Sequence, residues 1–469
     1  MPSRAPGSKD PALYPRLRAG IVLRRRVGTA FRQGADLCAV GRGGKVYELE
    51  SDSYAFLKAC DGRSTLDRLR SRFSSLFDKK TSQRRLAAEL GSDPTLSDLL
   101  ELRAAPAPAD PRQVVETKGL KAACRVAVWH LVSGCNLSCA HCYLGDNSRG
   151  RPFDARSVRA AAANLHAIGV EGVRLTGGET TIRPRLLLDA GEELERLCLP
   201  FSVNSNAVGD VGVLAELFGR HPDYARFVQV SVDGSQGGHD AMRGRQGAFR
   251  RTLENIGRLL DARVPVCVVS MMHRGWLGGE EELFDALRGA GVQSWTVELP
   301  VRSGRWSENG VRLGLDPSGI ESMCRSLIAL WRRSPKAFRL FEINQIFRRP
   351  APKGELSKSA SSPACLHHLG LLTFGERGLS FCSVFGRAFG PALTEFTRAD
   401  CGRRDFFAAW NRIASARLEH TLAGNAACAA CELWKDCQGG CPGHYEDPAA
   451  FTGCDPHARL LTQVRRSLR

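Results

Sequence analysis

The chain has 469 residues, 43% of them apolar and 25% charged, with a formal net charge of +17; this composition excludes a disordered chain and leaves room for several domains with sizeable cores. No apolar run approaches the ~18 residues of a membrane span, and MPSRAPGSKDPALYPRLRAG lacks the apolar segment of a secretory signal, so a cytoplasmic protein with no membrane partner is expected. Arginine spread along the chain supplies the positive charge, and with no aromatic-interleaved basic segment a nucleic-acid partner is not expected.

In chain order, GIVLRRRV comes first, followed by LCAVGRGGKVYEL, two β-prone runs around Gly-Arg-Gly-Gly that read as a hairpin. Helical patterns follow in SDSYAFLKACDG and STLDRLRSRFSSLF, where Ser64 and Asp67 read as a helix N-cap pair. A small sheet followed by helices predicts a winged-helix-like domain over residues 1–103. The Pro/Ala-rich AAPAPADPRQ opens a linker read as 104–118.

Over residues 119–315, short apolar runs alternate with amphipathic helical patterns. The runs are VAVWHLV, GVRLT, FSVNS, FVQVSV, VPVCVVS and SWTVEL; DARSVRAAAANLHAIG and AFRRTLENIGRLLDA are two of the helical stretches. Strand–helix alternation of this kind predicts an α/β fold, a partial (β/α)6 TIM-like barrel with reacting groups at the C-terminal strand ends. Residues 316–363 read as bridging helices and a linker, RRPAPKGELSKSASSP, ahead of a cysteine-rich segment at 364–469.

Directly after the first of these runs comes CNLSCAHCY, with Cys135, Cys139 and Cys142 at C-x3-C-x2-C. Cytosolic thiols are kept reduced, so disulfides are not expected. Structural zinc and most iron–sulfur sites take four protein ligands. Three thiolates in one short loop suit a [4Fe–4S] cluster with one iron left open, or a zinc site completed by His141 or another residue. The second run ends in Gly177, Gly178 and Glu179, where paired glycines allow close backbone approach and a carboxylate can bind an ammonium. The third is followed by Asn206 in NSNA. The fourth runs into VSVDGSQGGHDAMRG, offering Ser231, Asp233 and Arg243.

The cysteine triplet, the Gly-Gly-Glu and the Ser-x-Asp-Gly…His-Asp…Arg stretch, in this order, resemble the radical SAM superfamily over residues 122 to 310. The resemblance implies that S-adenosylmethionine binds the open iron of a cluster held by Cys135, Cys139 and Cys142, and that its reductive cleavage yields a 5′-deoxyadenosyl radical. It also implies that Gly177, Gly178 and Glu179 hold the methionine amine, Ser231 and Asp233 the ribose or nearby polar atoms, and Arg243 the carboxylate. Asn206 matches the family's Thr-Asn-Gly after strand three. Thr180 stands where the family commonly has Pro, and SNA replaces Thr-Asn-Gly.

Near the C-terminus CAACELWKDCQGGC gives Cys428, Cys431, Cys437 and Cys441, with Cys454 beyond and Cys365 and Cys382 upstream. Seven thiols exceed one tetrahedral metal's needs. The pattern resembles the SPASM domain of radical SAM enzymes that modify peptides, although Gly378 lies four rather than five residues before Cys382. The resemblance implies two auxiliary [4Fe–4S] clusters, three clusters in all. Cys428, Cys431, Cys437 and Cys454 would hold one. Cys365, Cys382 and Cys441 would hold the other, completed by Cys401, His367 or His368 or left with an open iron.

The first block resembles the elements that bind leader peptides of ribosomally made, post-translationally modified peptides. An exposed edge strand can take an extended peptide as an added strand, and Arg24, Arg25 and Arg26 could favour an acidic leader. The reading is a radical SAM peptide maturase that closes a thioether or carbon–carbon crosslink in a precursor peptide, with a flavodoxin- or ferredoxin-type electron donor. The alternatives are a maturase of a folded protein, of formylglycine or quinone-cofactor type, and a structural or nucleic-acid-binding zinc protein. Ser383, where formylglycine maturases carry an acidic residue, argues against the formylglycine form. No catalytic base is identified.

Overall fold

The computed structural model describes residues 12–19, 21–25, 37–40, 46–77, 81–110, 113–116, 120, 124, 126–145, 152–301, 303–343, 347–348, 371–376, 378–380, 382, 394–395, 397–422, 431–433, 441, 444 and 454–467. The chain divides into two compact units. One comprises residues 1–123 with 166–171, and the other 124–165 with 172–469.

The first unit opens with strands β1 (Tyr14–Leu17), β2 (Val22–Arg25), β3 (Leu37–Val40) and β4 (Val46–Leu49). Helices α1 (Ser51–Ala59), α2 (Leu66–Arg72), α3 (Gln83–Ser92) and α4 (Pro94–Leu99) follow, then β5 (Leu100–Arg103) and β6 (Val114–Glu116). β3 and β4 form the expected antiparallel pair, Leu37 opposite Leu49, and β1 pairs antiparallel with β5. The larger sheet runs β4-β3-β2-β6. Leu17, Leu23, Tyr54, Phe56, Leu57, Leu66, Leu69 and Leu99 meet in one apolar core between sheet and helices.

Three expectations change here. The cap of α2 is Thr65, whose hydroxyl accepts from Arg68 N at 3.3 Å; Ser64 sits one residue too early. The stretch read as a linker is part of the fold: Ala107 N donates to Gly62 O at 2.9 Å and Ala109 N to Asp61 O at 2.8 Å, and Val114–Glu116 pairs with β2. Arg24 lies on an interior strand and is buried at 1% exposure, so it has no open edge from which to attract a leader. Arg26 lies outside the described residues.

The second unit is built on β7 (Val126–Val132), α5 (Ala155–Ala167), β8 (Gly172–Gly177), α6 (Pro184–Arg196), β9 (Phe201–Ser205), α7 (Gly212–Arg220) and β10 (Ala225–Ser231). It continues with α8 (Gln236–Arg243), α9 (Ala248–Asp261), β11 (Val266–Met271), α10 (Glu280–Gly289), β12 (Ser294–Glu298), α11 (Trp306–Leu313) and α12 (Pro317–Arg333). Beyond these lie β13 (Leu340–Ile343), β14 (Phe347–Arg348), β15 (Leu371–Gly375), β16 (Gly378–Ser380), β17 (Thr394–Glu395), α13 (Arg403–Leu422) and α14 (Pro456–Ser467).

The six expected runs are β7 to β12, neighbours in sequence order and parallel throughout. Strands covered on both faces read as near-continuous apolar runs; in β9 Phe201, Ser202, Val203 and Ser205 are all buried. The helices present one apolar stripe each. In α9 the buried stripe is Ala248, Phe249, Ile256 and Leu259 with the polar Thr252 and Asn255 among them. The sheet is wider than expected: β13 adds in parallel beside β12, and β15 adds in parallel beside β7, Leu371 opposite Val126. Because β7 to β13 run the same way, their C-terminal ends share one edge, and every triplet and strand-end residue singled out above lies there.

Candidate active site at the strand ends

The loop after β7 carries the three cysteines, and neighbouring backbone grips it. Gly178 N donates to Val132 O at 2.7 Å and Glu179 N to Gly134 O at 2.9 Å. A Cβ on Gly177 would lie 2.0 Å from Val132 O, and one on Gly178 would lie 2.1 Å from Gly134 O. Both positions therefore require glycine, Gly177 also because its φ is +147°. On the other side Ala140 N donates to Met242 O at 2.8 Å and Arg305 N to Cys142 O at 3.0 Å. Arg305 Nη1 and Asn309 Nδ2 hold the Cys139 and Ala140 carbonyls at 3.2 and 3.1 Å.

Cys135 is exposed, Cys142 half-buried and Cys139 buried. Burial pushes the Cys139 thiol up, while Arg243, donating Nη1 to its Sγ at 3.6 Å, pulls it down. Burial also raises the Cys135 thiol, with the charges of Cys139, Glu179 and Cys142 adding to it.

Glu179 is buried at 1% exposure. Its Oε1 accepts from Thr181 N at 3.0 Å, Thr181 Oγ1 at 2.9 Å and Ser205 Oγ at 2.9 Å, and its Oε2 accepts from Asn206 N at 2.7 Å. The carboxylate thus ties β8 to the end of β9. Asn206 continues the tie: Nδ2 donates to Asn136 Oδ1 at 2.7 Å and lies 3.9 Å from Cys135 Sγ. Thr180 Oγ1 donates to Asn204 O at 3.1 Å, so the hydroxyl at the position where proline was expected is spent on the same seam.

Beyond β10, Asp233 is fully buried and pairs with Arg243 Nη2 at 2.6 Å. Its Oδ1 accepts from Met271 N at 2.9 Å. Burial pushes the carboxyl up, but Arg243, then His141 and His239, outweigh it and hold it down at about 2. Burial keeps His141 and His239 neutral, each near 4, and lowers His273 as well. His239 Nδ1 accepts from Asp233 N at 3.0 Å, and His273 Nε2 lies 3.2 Å from Asp233 O. Ser231 ends β10, half-buried.

Of the second array, Cys382, Cys431, Cys441 and Cys454 are described; Cys365, Cys428 and Cys437 lie outside the described residues, as do His367 and His368. Cys382 is buried just past β16, after a Gly378 at φ +140°. Asp455 organises its surroundings: Oδ2 accepts from Cys441 N at 2.8 Å and faces His444 Nδ1 at 3.1 Å, while Oδ1 accepts from His457 N at 2.9 Å.

Two observations test whether these residues suit an iron–sulfur cofactor and its ligand. Four ligands on one tetrahedral zinc stand about 3.8 Å apart, from Zn–S bonds of ~2.3 Å. Among the described residues the trio whose ligand atoms all lie within 4.8 Å is His444, Asp455 and His457, not the three thiols; His141 points Nε2 at Asp233, 3.6 Å away. Secondly, Arg243 Nε, His141 Nδ1, His239 Nε2, His273 Nδ1 and Trp276 Nε1 are buried at this strand edge with no hydrogen-bond partner. Buried polar atoms are normally paired, so a polar ligand with several acceptors and donors fits beside the thiols.

Sequence reading missed Asn136, Ser205, Thr181, His273, Arg305 and Asn309. Asn136 and Ser205 adjoin residues already singled out; nothing local marks Arg305 or Asn309.

Residues 129–287 match the family described as the Radical SAM superfamily. The sporulation killing factor maturation protein SkfB of Bacillus subtilis (strain 168) is 28% identical over 194 residues, 40% of this chain and 45% of that protein. An AdoMet-dependent heme synthase of Methanosarcina barkeri is 25% identical over 332 residues, 67% of this chain and 90% of that protein. The chain spans about half the length of the first curated relatives it matches. Among solved structures, Streptococcus suis SuiB bound to precursor peptide SuiA superposes with a TM-score of 0.64 at 12% identity, covering 93% of this chain and 98% of that one. anSMEcpe with bound AdoMet gives 0.54 at 12% identity, covering 73% and 97%. At such identities the structural likeness speaks for the fold, an α/β fold with a parallel sheet. No helix among the described residues is long and apolar enough to cross a membrane.

Proposed function

We propose that this chain, which belongs to the radical SAM superfamily, is a peptide maturase that installs an oxidative crosslink in a leader-bearing precursor peptide. A [4Fe–4S] cluster with S-adenosylmethionine on its open iron supplies, when bound, a 5′-deoxyadenosyl radical for hydrogen abstraction. The chain's own part is to hold and shield. Cys135, Cys139 and Cys142 would ligate the cluster. Gly177 and Gly178 keep the cysteine loop seated on β8, and their neighbouring backbone groups would meet the methionine amine. Glu179 and Asn206 fix the loop's outer side. Arg243 and Ser231 would meet the carboxylate and polar groups of the ligand, while Asp233, with its carboxylate already taken, serves by orienting Arg243. Cys382, Cys431, Cys441 and Cys454, with Cys365, Cys428 and Cys437, would hold auxiliary clusters in a SPASM-type arrangement. The first unit, with the winged-helix-like reading, would dock the leader on the outer edge of β4. A flavodoxin- or ferredoxin-type donor in the cytoplasm completes the scheme.

The observation that carries this reading is the three-thiol loop clamped at the strand ends beside unpartnered buried polar atoms. SkfB and SuiB, one by its name a maturation protein and the other seen with a precursor peptide, support the peptide as substrate. Cys139→Ala is expected to abolish formation of 5′-deoxyadenosine under anaerobic conditions with dithionite; wild-type turnover in that variant would remove the site. Mass spectrometry of a co-expressed candidate peptide should show a loss of two mass units per crosslink. The length of the match to the heme synthase favours a second reading, a tetrapyrrole substrate; a modified porphyrin with an unmodified peptide would decide for it.

A further inference from the structure

The mechanism leaves one buried charge pair incompletely used. Arg243, at 5% exposure, extends from the last turn of α8 and divides its guanidinium between a sulfur and a carboxylate. Nη1 donates to Cys139 Sγ at 3.6 Å and Nη2 meets Asp233 at 2.6 Å. Asp233 in turn is fixed by Met271 N, and its own backbone is held by His239 and His273. The distance to the sulfur is also fixed from behind. Met242, next to Arg243, accepts from Ala140, the residue after Cys139. A Cβ on Gly244 would lie 3.0 Å from Ser138 O, which shows how tightly α8 abuts the cysteine loop. In such a dry setting a unit charge is poorly screened, and hydrogen bonds to cluster sulfurs are among the levers that set an iron–sulfur potential.

We propose that the Asp233–Arg243 pair sets the reduction potential of the cluster held by Cys135, Cys139 and Cys142, a role that rests on the radical SAM reading above. Arg243, by donating to the Cys139 sulfur, favours the reduced cluster; Asp233, by partly neutralising the guanidinium, limits that gain. The reaction is the addition of one electron to the oxidised cluster, taken from a low-potential one-electron donor, with no bond made or broken in the protein. Asp233 and Arg243 act here as positioning residues with opposite electrostatic signs.

The test is an anaerobic redox titration of the reconstituted full chain followed by electron paramagnetic resonance, without S-adenosylmethionine, so that carboxylate binding by Arg243 plays no part. Cys382→Ala with Cys431→Ala in the background removes one thiol from each auxiliary set and simplifies the spectrum to the first cluster's signal. Arg243→Gln should lower the ratio of reduced to oxidised cluster at a fixed poise about tenfold, a shift of about 59 mV for one electron. Asp233→Asn should raise it, and Arg243→Lys, which keeps the charge, should fall less than Arg243→Gln. Unchanged potentials, or shifts of the same sign in Arg243→Gln and Asp233→Asn, would overturn the inference. So would loss of iron loading in both alongside full loading in Arg243→Lys, because the pair would then be only structural. If the parent chain binds no iron–sulfur cluster at all, the radical SAM reading of the site fails instead.

Discussion

At the scale of single residues, the site depends on atoms that are not there. Gly178 has an ordinary φ, yet any side chain would drive a carbon into the Gly134 carbonyl. Gly178→Ala must push the cysteine loop off β8, and overpacking of this kind costs about 1–3 kcal/mol. Iron bound per chain after anaerobic reconstitution should fall by about a third, the share of one cluster in three, while the rest of the molecule stays folded by circular dichroism. Glu179→Gln is a milder change: it swaps an acceptor-only carboxylate for an amide that turns an N–H toward donors on Thr181, Ser205 or Asn206. A buried donor left unpaired costs about 1–3 kcal/mol, read as a drop in the urea midpoint with unchanged slope.

The same scale shows why some residues were legible and others not. Cysteine spacing and the Gly-Gly-Glu stand out because their chemistry is local to a few residues. Arg24 did not, since an arginine in a basic run reads as solvated until the strand order makes its strand an interior one. His444, Asp455 and His457 gather across a gap in sequence that no spacing rule covers.

At the scale of elements, α8 backs the cysteine loop, and one carboxylate joins it to α9. Asp240 Oδ2 accepts from Gly247 N at 2.7 Å and Oδ1 from Phe249 N at 2.8 Å, capping α9 from the preceding helix. Asp240→Ala strands a buried donor, Phe249 N, and a half-buried one, Gly247 N, and should cost about 1–3 kcal/mol; it should also weaken cluster retention, because Met242 and Arg243 ride on α8. Equal stability of the variant would show that the helix junction closes by other means. Strand-level reading succeeded for β7 to β12, where continuous apolar runs alternate with helical stripes. It missed β13 and β15 as parallel members of that sheet. LFEI and LLTFG are too short to announce a partner, and β15 pairs with a strand some 245 residues earlier.

For the molecule as a whole, protonation gives the broadest expectation. His130, His141 and His239 are held neutral by burial, each near 4 instead of the usual 6.5. Between those values the unfolded chain binds more protons, so stability rises with pH there and falls as pH drops from about 6.5 toward 4. Asp233 acts lower on the scale: its depressed value adds stability that is present above about 3.8 and is lost as pH falls toward 2. Urea midpoints at pH 7, 6 and 5 should decline steadily, and a flat profile would contradict the buried neutral rings. Removing residues 1–123 should leave 5′-deoxyadenosine formation intact but weaken binding of a leader-bearing peptide at least tenfold, measured by fluorescence anisotropy.

The parallel seating of β15 against β7 has a practical corollary for anyone recombining related chains. A chimera that takes its last hundred residues from another member imports a strand for the scaffold along with the cysteines. The junction therefore belongs before Leu371, and the incoming strand must match the knobs of Val126 to Trp129 or the graft will leave β7, the strand that leads into the cysteine loop, with a naked flank.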